Sequence, residues 1–306
     1  MKDLSLDLSS PPQITLITTA LNAEKTLSRT LASVEAQNFE NLQYVFVDGK
    51  SSDKTLTIAK EFSYLIDELI SEKDNGAAEA LNKGFLRATG RIIGFINADD
   101  ELTLGALSRV AAYFENNPEI DVVTGNCRRV FADGSETVTR VPEHFLRDMP
   151  YRNGIEQPST FWRSEIVEKS GLLDTSYKFA FDWEWWNRMR KNGARFGVID
   201  EVLSVYHFSD DNLTSNGGLR VVEEMFRVTR MYGGKAGLVA YAYLVLFKFF
   251  DMHGYYDVSF SNLPAKKRMA FGFVRNLLCA LFGKKIVYCY NWNWASKQIR
   301  GLVWYK

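Results

Sequence analysis

The chain has 306 residues, 46% of them hydrophobic, and its 37 Lys and Arg balance 37 Asp and Glu. That length and apolar content fit a globular protein with one large or two smaller domains and room for a sizeable core. Three cysteines without CxxC spacing (Cys127, Cys279, Cys289) argue against a disulfide framework or a cysteine metal site, and fit a reducing, cytoplasmic environment.

Residues Met1 to Pro12 are polar, include Asp3 and Asp7, and lack the apolar h-region of a secretory signal. Gln13 to Thr19 reads as a first strand, β-branched and apolar. Asn22 is placed to cap a helix whose apolar face is Leu27, Leu31 and Val34. Leu42 to Val47 is a second strand, followed by a helix from Lys54 to about Phe62 with Asp53 as its cap. A third strand is expected near Leu65 to Ile70. Ala77, Ala80, Leu81, Gly84, Phe85 and Ala88 then repeat with helical period, and Ile92 to Ile96 forms a fourth strand. Short apolar strands alternating with helices predict a parallel sheet covered by helices on both faces.

Beyond residue 100 the pattern changes. Leu104 to Glu115 is a helix stopped near Pro118. Val122 to Val130 and Glu136 to Val141 read as a hairpin turning at Asp133-Gly134. Helices follow at Ser164 to Ser170 and Asp182 to Lys191, and Phe196 to Tyr206 holds one or two strands. From Gly218 the chain is mostly helical and aromatic. The run Ala236 to Phe247 is continuously apolar, but its 12 residues fall short of a bilayer span. No internal repeat or low-complexity tract is present.

Net neutrality hides an asymmetry. Residues 261–306 hold Lys266, Lys267, Arg268, Arg275, Lys284, Lys285, Lys297, Arg300 and Lys306 and no acidic residue. Phe271, Phe273, Phe282, Trp292, Trp294 and Trp304 are interleaved with them. Basic charge mixed with aromatic rings suits an anionic membrane surface; a solvated basic face on a helical subdomain is the bland alternative. No nucleic-acid module is recognisable, so nucleic acid is not expected as a partner.

The chemistry concentrates at the predicted strand ends. Asp99 and Asp100 follow the apolar run Arg91 to Ala98, and the C-terminal ends of such strands border the ligand crevice. Two adjacent carboxylates there are costly unless a cation lies between them; the plain alternative is a polar turn capping the next helix. After the first strand, the backbone amides of Thr18-Thr19-Ala20-Leu21-Asn22 are candidates to face a nucleotide. After the second, Asp48 at a strand tip is suited to accept a base N–H, and Gly49, Ser51 and Ser52 permit a tight turn. Asp74 is a cap for the third helix. Lys83 lies off that helix's apolar face and is a candidate for a diphosphate, with a solvated surface lysine as its alternative.

Together, Thr18…Asn22, Val47-Asp48-Gly49…Ser52-Asp53, Asp74-Asn75-Gly76…Asn82-Lys83-Gly84 and Asn97-Ala98-Asp99-Asp100 resemble a family 2 glycosyltransferase over roughly residues 13 to 210. The resemblance implies an α/β, Rossmann-like GT-A fold with a mostly parallel central sheet. It implies a glycosyltransferase domain at residues 1–215 and a helical extension at 216–306. It also implies inverting transfer of a sugar, UDP-linked by expectation, from a nucleotide-sugar donor to a glycan or lipid-linked acceptor in polysaccharide or glycolipid biosynthesis. Asp48 would hold the base. Asp100 would hold Mg²⁺ or Mn²⁺, and Asp99 would contact the ribose or the metal.

The family's DxD signature has Asn97 at its first position here. Phe181-Asp182-Trp183-Glu184-Trp185-Trp186-Asn187-Arg188 resembles its "ED" segment, which makes Asp182 the catalytic base and Glu184 the fallback; Phe181 replaces the preceding acid. A carboxylate among those aromatic rings is partly desolvated, which raises its pKa. In the resemblance His207, one of three histidines, becomes a third metal ligand, with a hydrogen-bonded structural histidine as the alternative, and Gln157-Pro158-Ser159-Thr160 resembles the acceptor-side segment that lines the pocket. The expected location is the cytoplasm, peripheral to the inner face of the membrane. The alternative reading is a catalytically silent sugar-nucleotide or glycan-binding subunit, with Asn97 and Phe181 as signs of decay.

Overall fold

The computed structural model describes residues 13–208, 218–250 and 265–287. Strand β1 (Ile14–Ala20) lies within a parallel array with β2 (Leu42–Asp48), β3 (Glu68–Ser71) and β4 (Ile92–Asn97), in the order β3-β2-β1-β4. Register sets Ala20 beside Asp48, Asp48 beside Ser71 and Thr19 beside Asn97, so the carboxyl ends of these strands form one rim.

Both faces of this array are covered, which is why its strands are nearly all apolar. Side chains alternate between two cores with the period of two expected of a strand. Ile17, Val45, Val47, Ile93 and Phe95 pack with Leu81 and Phe85 of α3 (Ala77–Phe85) and with the tryptophans of α7 (Phe181–Lys191). Ile14, Leu16, Tyr44, Phe46, Ile92 and Ile96 pack on the opposite face, against α1 (Leu27–Glu35) and α4 (Ala106–Asn116). The helix α2 (Thr55–Glu61) adds Ala59 to the second core.

Past β4 the sheet becomes mixed. Strand β8 (Thr160–Arg163) runs antiparallel to β4 and to β6 (Val122–Val130), and β6 runs parallel to β9 (Phe196–His207). The two-residue β5 (Glu101–Leu102) pairs antiparallel with β9, which carries the chain back to the rim beside Asp100. The expected hairpin forms between β6 and β7 (Glu136–Thr139), and Gly134 takes the φ of +80° that its turn requires. Two short helices, α5 (Phe145–Asp148) and α6 (Glu165–Ser170), flank the mixed half.

One expected cap is corrected. Helix α1 begins at Leu27, and Asn22 lies well before it at φ +52°. Asn tolerates that left-handed conformation. Its side chain serves the neighbouring loop instead: Oδ1 accepts from the Ser52 amide at 2.9 Å. Asp53 does cap α2, accepting from the Thr55 amide at 2.9 Å.

Helices α8 (Gly218–Tyr232), α9 (Ala236–Phe250) and α10 (Ala265–Phe282) share a third core of Val221, Val222, Val239, Tyr243, Leu244 and Leu278, and Tyr151 and Phe179 pack against it. The boundary expected at 215/216 and the tail aromatics Trp292, Trp294 and Trp304 lie outside the described residues.

Gly94 of β4 pairs with Phe161 of β8, and a Cβ on Gly94 would run into the buried Phe161 ring. Gly94→Ala is expected to cost about 1–3 kcal/mol through overpacking, read as a lower denaturant midpoint at unchanged slope.

Candidate active site

The first two loops at the rim are locked together. The Asn22 amide donates to Ser51 Oγ at 2.8 Å, the Ala23 amide to Thr55 Oγ1 at 2.7 Å, and the Glu24 amide to Asp53 Oδ2 at 3.0 Å. The Gly49 amide donates to the Ala20 carbonyl at 2.9 Å. Asp48 is buried between them: Oδ1 accepts from the Ser51 amide at 3.1 Å and Oδ2 from Ser71 Oγ at 2.7 Å. The Asp74 carboxylate lies against Gly49, with Oδ2 2.5 Å from where a Cβ would stand. Asp48, with both oxygens already accepting from Ser51 and Ser71, and Asp74 thus place two carboxylates next to Gly49 and the end of β1.

Thr18 does not present its side chain there. Its hydroxyl accepts from Tyr44 at 2.8 Å inside the core, because an even-numbered position on β1 faces α1. Lys83 donates to the Lys73 carbonyl at 2.9 Å and pairs with Glu72 at 3.3 Å, tying α3 to the segment after β3.

At the tip of β4, Asp100 is fully buried. Its backbone carbonyl accepts from Thr30 at 2.8 Å, and the adjacent Asp99 carbonyl accepts from Arg29 at 2.9 Å. Asp100 Oδ1 accepts a long bond from the His207 amide at 3.4 Å, and Oδ2 is buried with no partner. Burial, and then the charge of Asp99, push the Asp100 carboxyl well above the usual carboxylate range, opposed in part by the His207 amide and by Asn97. Asn97 also donates to Gln157 at 3.0 Å, and Gln157 donates to the Phe95 carbonyl at 2.6 Å. An orphaned, desolvated carboxylate oxygen beside a second carboxylate fits a divalent cation.

The imidazole of His207 does not complete a cage. Its Nε2 lies 2.6 Å from Glu101 Oε1, which also pairs with Arg29 at 3.2 Å. Among the described residues no group of three His, Cys, Asp or Glu side chains is arranged as a ligand set. The arrangement would leave a cation to be held by one or two carboxylates.

Asp182 stands in the first turn of α7, preceded by a segment packed on the aromatic core. Its Oδ1 accepts from the Trp183 amide at 2.6 Å, and Asn153 also bonds the carboxyl. Burial pushes the carboxyl up to about 6; the Trp183 amide opposes this and the charge of Glu156 adds to it. A group that titrates there can take a proton near neutrality. Glu184 is committed elsewhere, accepting from Arg188 at 2.9 Å and from Tyr232 at 2.7 Å.

Sequence reasoning missed the ion pair between buried Arg129 and half-buried Glu156. The negative charge of Glu156 adds to the upward push that burial gives both Asp100 and Asp182. No motif marks the pair, since its partners come from β6 and from the turn before β8.

The profile of the family described as "Glycosyl transferase family 2" matches residues 15–170. The chain is 29% identical over 188 residues to a PGL/p-HBAD biosynthesis glycosyltransferase of Mycobacterium tuberculosis, covering 60% of this chain and 72% of that protein. It is 28% identical over 208 residues to the minor teichoic acid biosynthesis protein GgaB of Bacillus subtilis, covering 62% of this chain and 22% of that much longer protein. In three dimensions it resembles residues 1–349 of S. aureus TarS in complex with UDP-GlcNAc, with TM-score 0.60 and 16% identity over 94% of this chain and 85% of that one. It also resembles the mannosyltransferase PcManGT of Pyrobaculum calidifontis in complex with GDP-Man and Mn²⁺, with TM-score 0.59 and 16% identity over 92% and 86%. The strand-tip acids, the mixed sheet beyond them and the matched profile agree: this chain has the GT-A fold and belongs to glycosyl transferase family 2.

Proposed function

We propose that the protein moves a sugar, with inversion, from a nucleoside diphosphate sugar to an acceptor hydroxyl in glycolipid or polysaccharide assembly. One observation carries the reading: Asp100 presents a buried, unpartnered carboxylate oxygen at the rim, beside Asp99. Asp48, with the backbone from Thr18 through Ala20 to Asn22, takes the nucleoside, and Asp99 takes the ribose or shares the metal. Lys83 would serve the diphosphate by leaving Glu72, and His207 would join the metal by leaving Glu101. A bound Mg²⁺ or Mn²⁺ would supply charge neutralisation on the departing diphosphate.

Asp182 accepts the proton of the acceptor hydroxyl as that oxygen bonds to the anomeric carbon. The bond from that carbon to the diphosphate oxygen breaks on the opposite face, and its electron pair leaves with the diphosphate. A single displacement of this kind needs one base, not two carboxylates acting in turn. UDP is the donor nucleotide we favour, supported by the likeness to a UDP-GlcNAc-bound structure. The GDP-Man-bound neighbour makes GDP the competitor to test.

A second element supports work on a lipid-linked acceptor. On α10, Met269, Phe273, Leu277 and Leu281 recur every four residues and are 75%, 72%, 48% and 65% exposed, while Leu278 on the other side is buried in the bundle. Exposed Lys266, Lys284 and Lys285 flank the stripe. No helix among the described residues is long and apolar enough to cross a membrane. An apolar stripe plus a basic flank supplies the two signals that peripheral attachment needs: roughly 1.5–3 kcal/mol per large side chain buried and about 1 kcal/mol per basic residue. The occupant we assign is an anionic membrane surface.

Asp100→Ala should remove transfer and also the Mn²⁺-dependent rise in melting temperature with UDP; an unchanged rise would take the metal from Asp100. Turnover should climb through about pH 6 as Asp182 ionises, and Asp182→Asn should abolish it. Because folding raises that pKa, stability is lost as pH rises through about 6. Asp182→Asn should therefore be the more stable protein at pH 7.5, by up to about 3 kcal/mol, with the advantage gone below pH 4. The full chain should float with phosphatidylcholine vesicles containing phosphatidylglycerol and not with phosphatidylcholine alone, and Phe273→Asp with Leu281→Asp should release it. Concentration-dependent dimerisation without vesicle binding would assign the stripe to a second copy instead.

A further inference from the structure

The amino end of α7 has no side-chain cap of its own. A carboxylate from the C-terminal helices instead holds the segment that leads into it. Glu224 of α8 is buried, and its Oε1 accepts from the Lys178 amide at 2.8 Å; Oε2 accepts from the Phe179 amide at 2.8 Å and the Ala180 amide at 2.9 Å. Three successive amides thus end on one side chain, two residues before Asp182. Such an anion satisfies three backbone donors in the segment that enters the helix, the last of them at its N-cap Ala180, and complements the helix dipole. The same segment is held again by α8: Arg227 donates to Ser176 Oγ at 2.8 Å and lies 4.0 Å over the Tyr177 ring. Tyr232 reaches back to Glu184 within α7. All of this lies beyond the residues matched by the family profile, which end at 170.

We propose that Glu224 is a positioning residue for sugar transfer, fixing the first turn of α7 so that Asp182 faces the acceptor hydroxyl. The C-terminal helices thereby complete the active site and are not an appendage to it. This rests on Asp182 being the base. Glu224 itself touches neither donor nor acceptor in the proposed reaction. The effect is geometric, since displacing a reacting group by about 1 Å can cost about 10²-fold in rate.

The test is steady-state kinetics of the full-length enzyme carrying Glu224→Gln, which puts an NH₂ group where amides now donate, with Asp182→Asn alongside. Glu224→Gln should lower kcat about 10–100-fold with donor KM within about twofold. Its acid limb should move below that of the parent as water reaches the loosened turn. The charged groups on the elements around that turn are Glu224 itself, Arg227, Lys178, Glu156 with its partner Arg129, and Glu184 with Arg188; Glu224→Gln changes only the first, and Glu224→Asp, which keeps that charge, separates lost charge from lost geometry. Glu224→Asp, which keeps the charge on a shorter arm, should recover part of kcat. Unchanged kcat in a folded Glu224→Gln protein overturns the proposal. So does a joint loss of kcat and donor affinity with an unmoved acid limb, which marks a general structural role. If Glu224→Gln does not fold, the exposed Arg227→Ala decides: a several-fold fall in kcat at constant KM supports the proposal, and parental kinetics overturn it. Full turnover by Asp182→Asn would instead remove the base assignment, whatever Glu224 does.

Discussion

The molecule is organised around a carboxylate taken out of water and left incompletely paired. Asp100 has no solvent contact, and one of its oxygens has no donor. A fold tolerates such a group only where surrounding contacts hold it in place. Here Thr30 and Arg29 of α1 grip the backbone of residues 99–100, the His207 amide meets one oxygen, and Asn97 and Gln157 brace the strand that leads there. The mixed half of the sheet has the same effect. Pairing β5 against β9 returns His207 to a tip that the parallel half alone would leave bare.

The parallel half was legible because its signals are local. Apolar runs of strand length, helical periodicity and turn residues all act within a few positions of one another. The same holds for the hairpin at Asp133-Gly134 and for the acids at the strand ends. Other features depend on partners far along the chain. Asn22 looked like a cap because it precedes an apolar helix, but Ser51 and Ser52, thirty positions away, offer it better bonds. Strand β8 has four residues and β5 has two, too short for any period to register. The Arg129–Glu156 pair and the grip of Glu224 on α7 join segments that no motif connects.

The two acids at the centre of the proposed chemistry differ in how they are held. Asp100 is fixed by the sheet and by α1. Asp182 is fixed by a helix whose start is gripped from α8. The half-buried Glu156, paired with buried Arg129, adds a smaller upward push to both. The bundle whose Glu224 holds the segment before Asp182 also carries the exposed apolar stripe of α10. On the proposed reading, a single C-terminal unit joins the acceptor side of the site to the face that meets lipid.

The stitching of the first two loops has its own consequence. Segments cross-linked through Asn22, Ser51, Ser52, Asp53 and Thr55 yield together or not at all. If a nucleoside docks there as proposed, it meets loops already ordered by these bonds, so little ordering entropy remains to be lost. A change of base preference would then call for exchanging side chains on these loops, since the cross-linked backbone has little freedom to adapt.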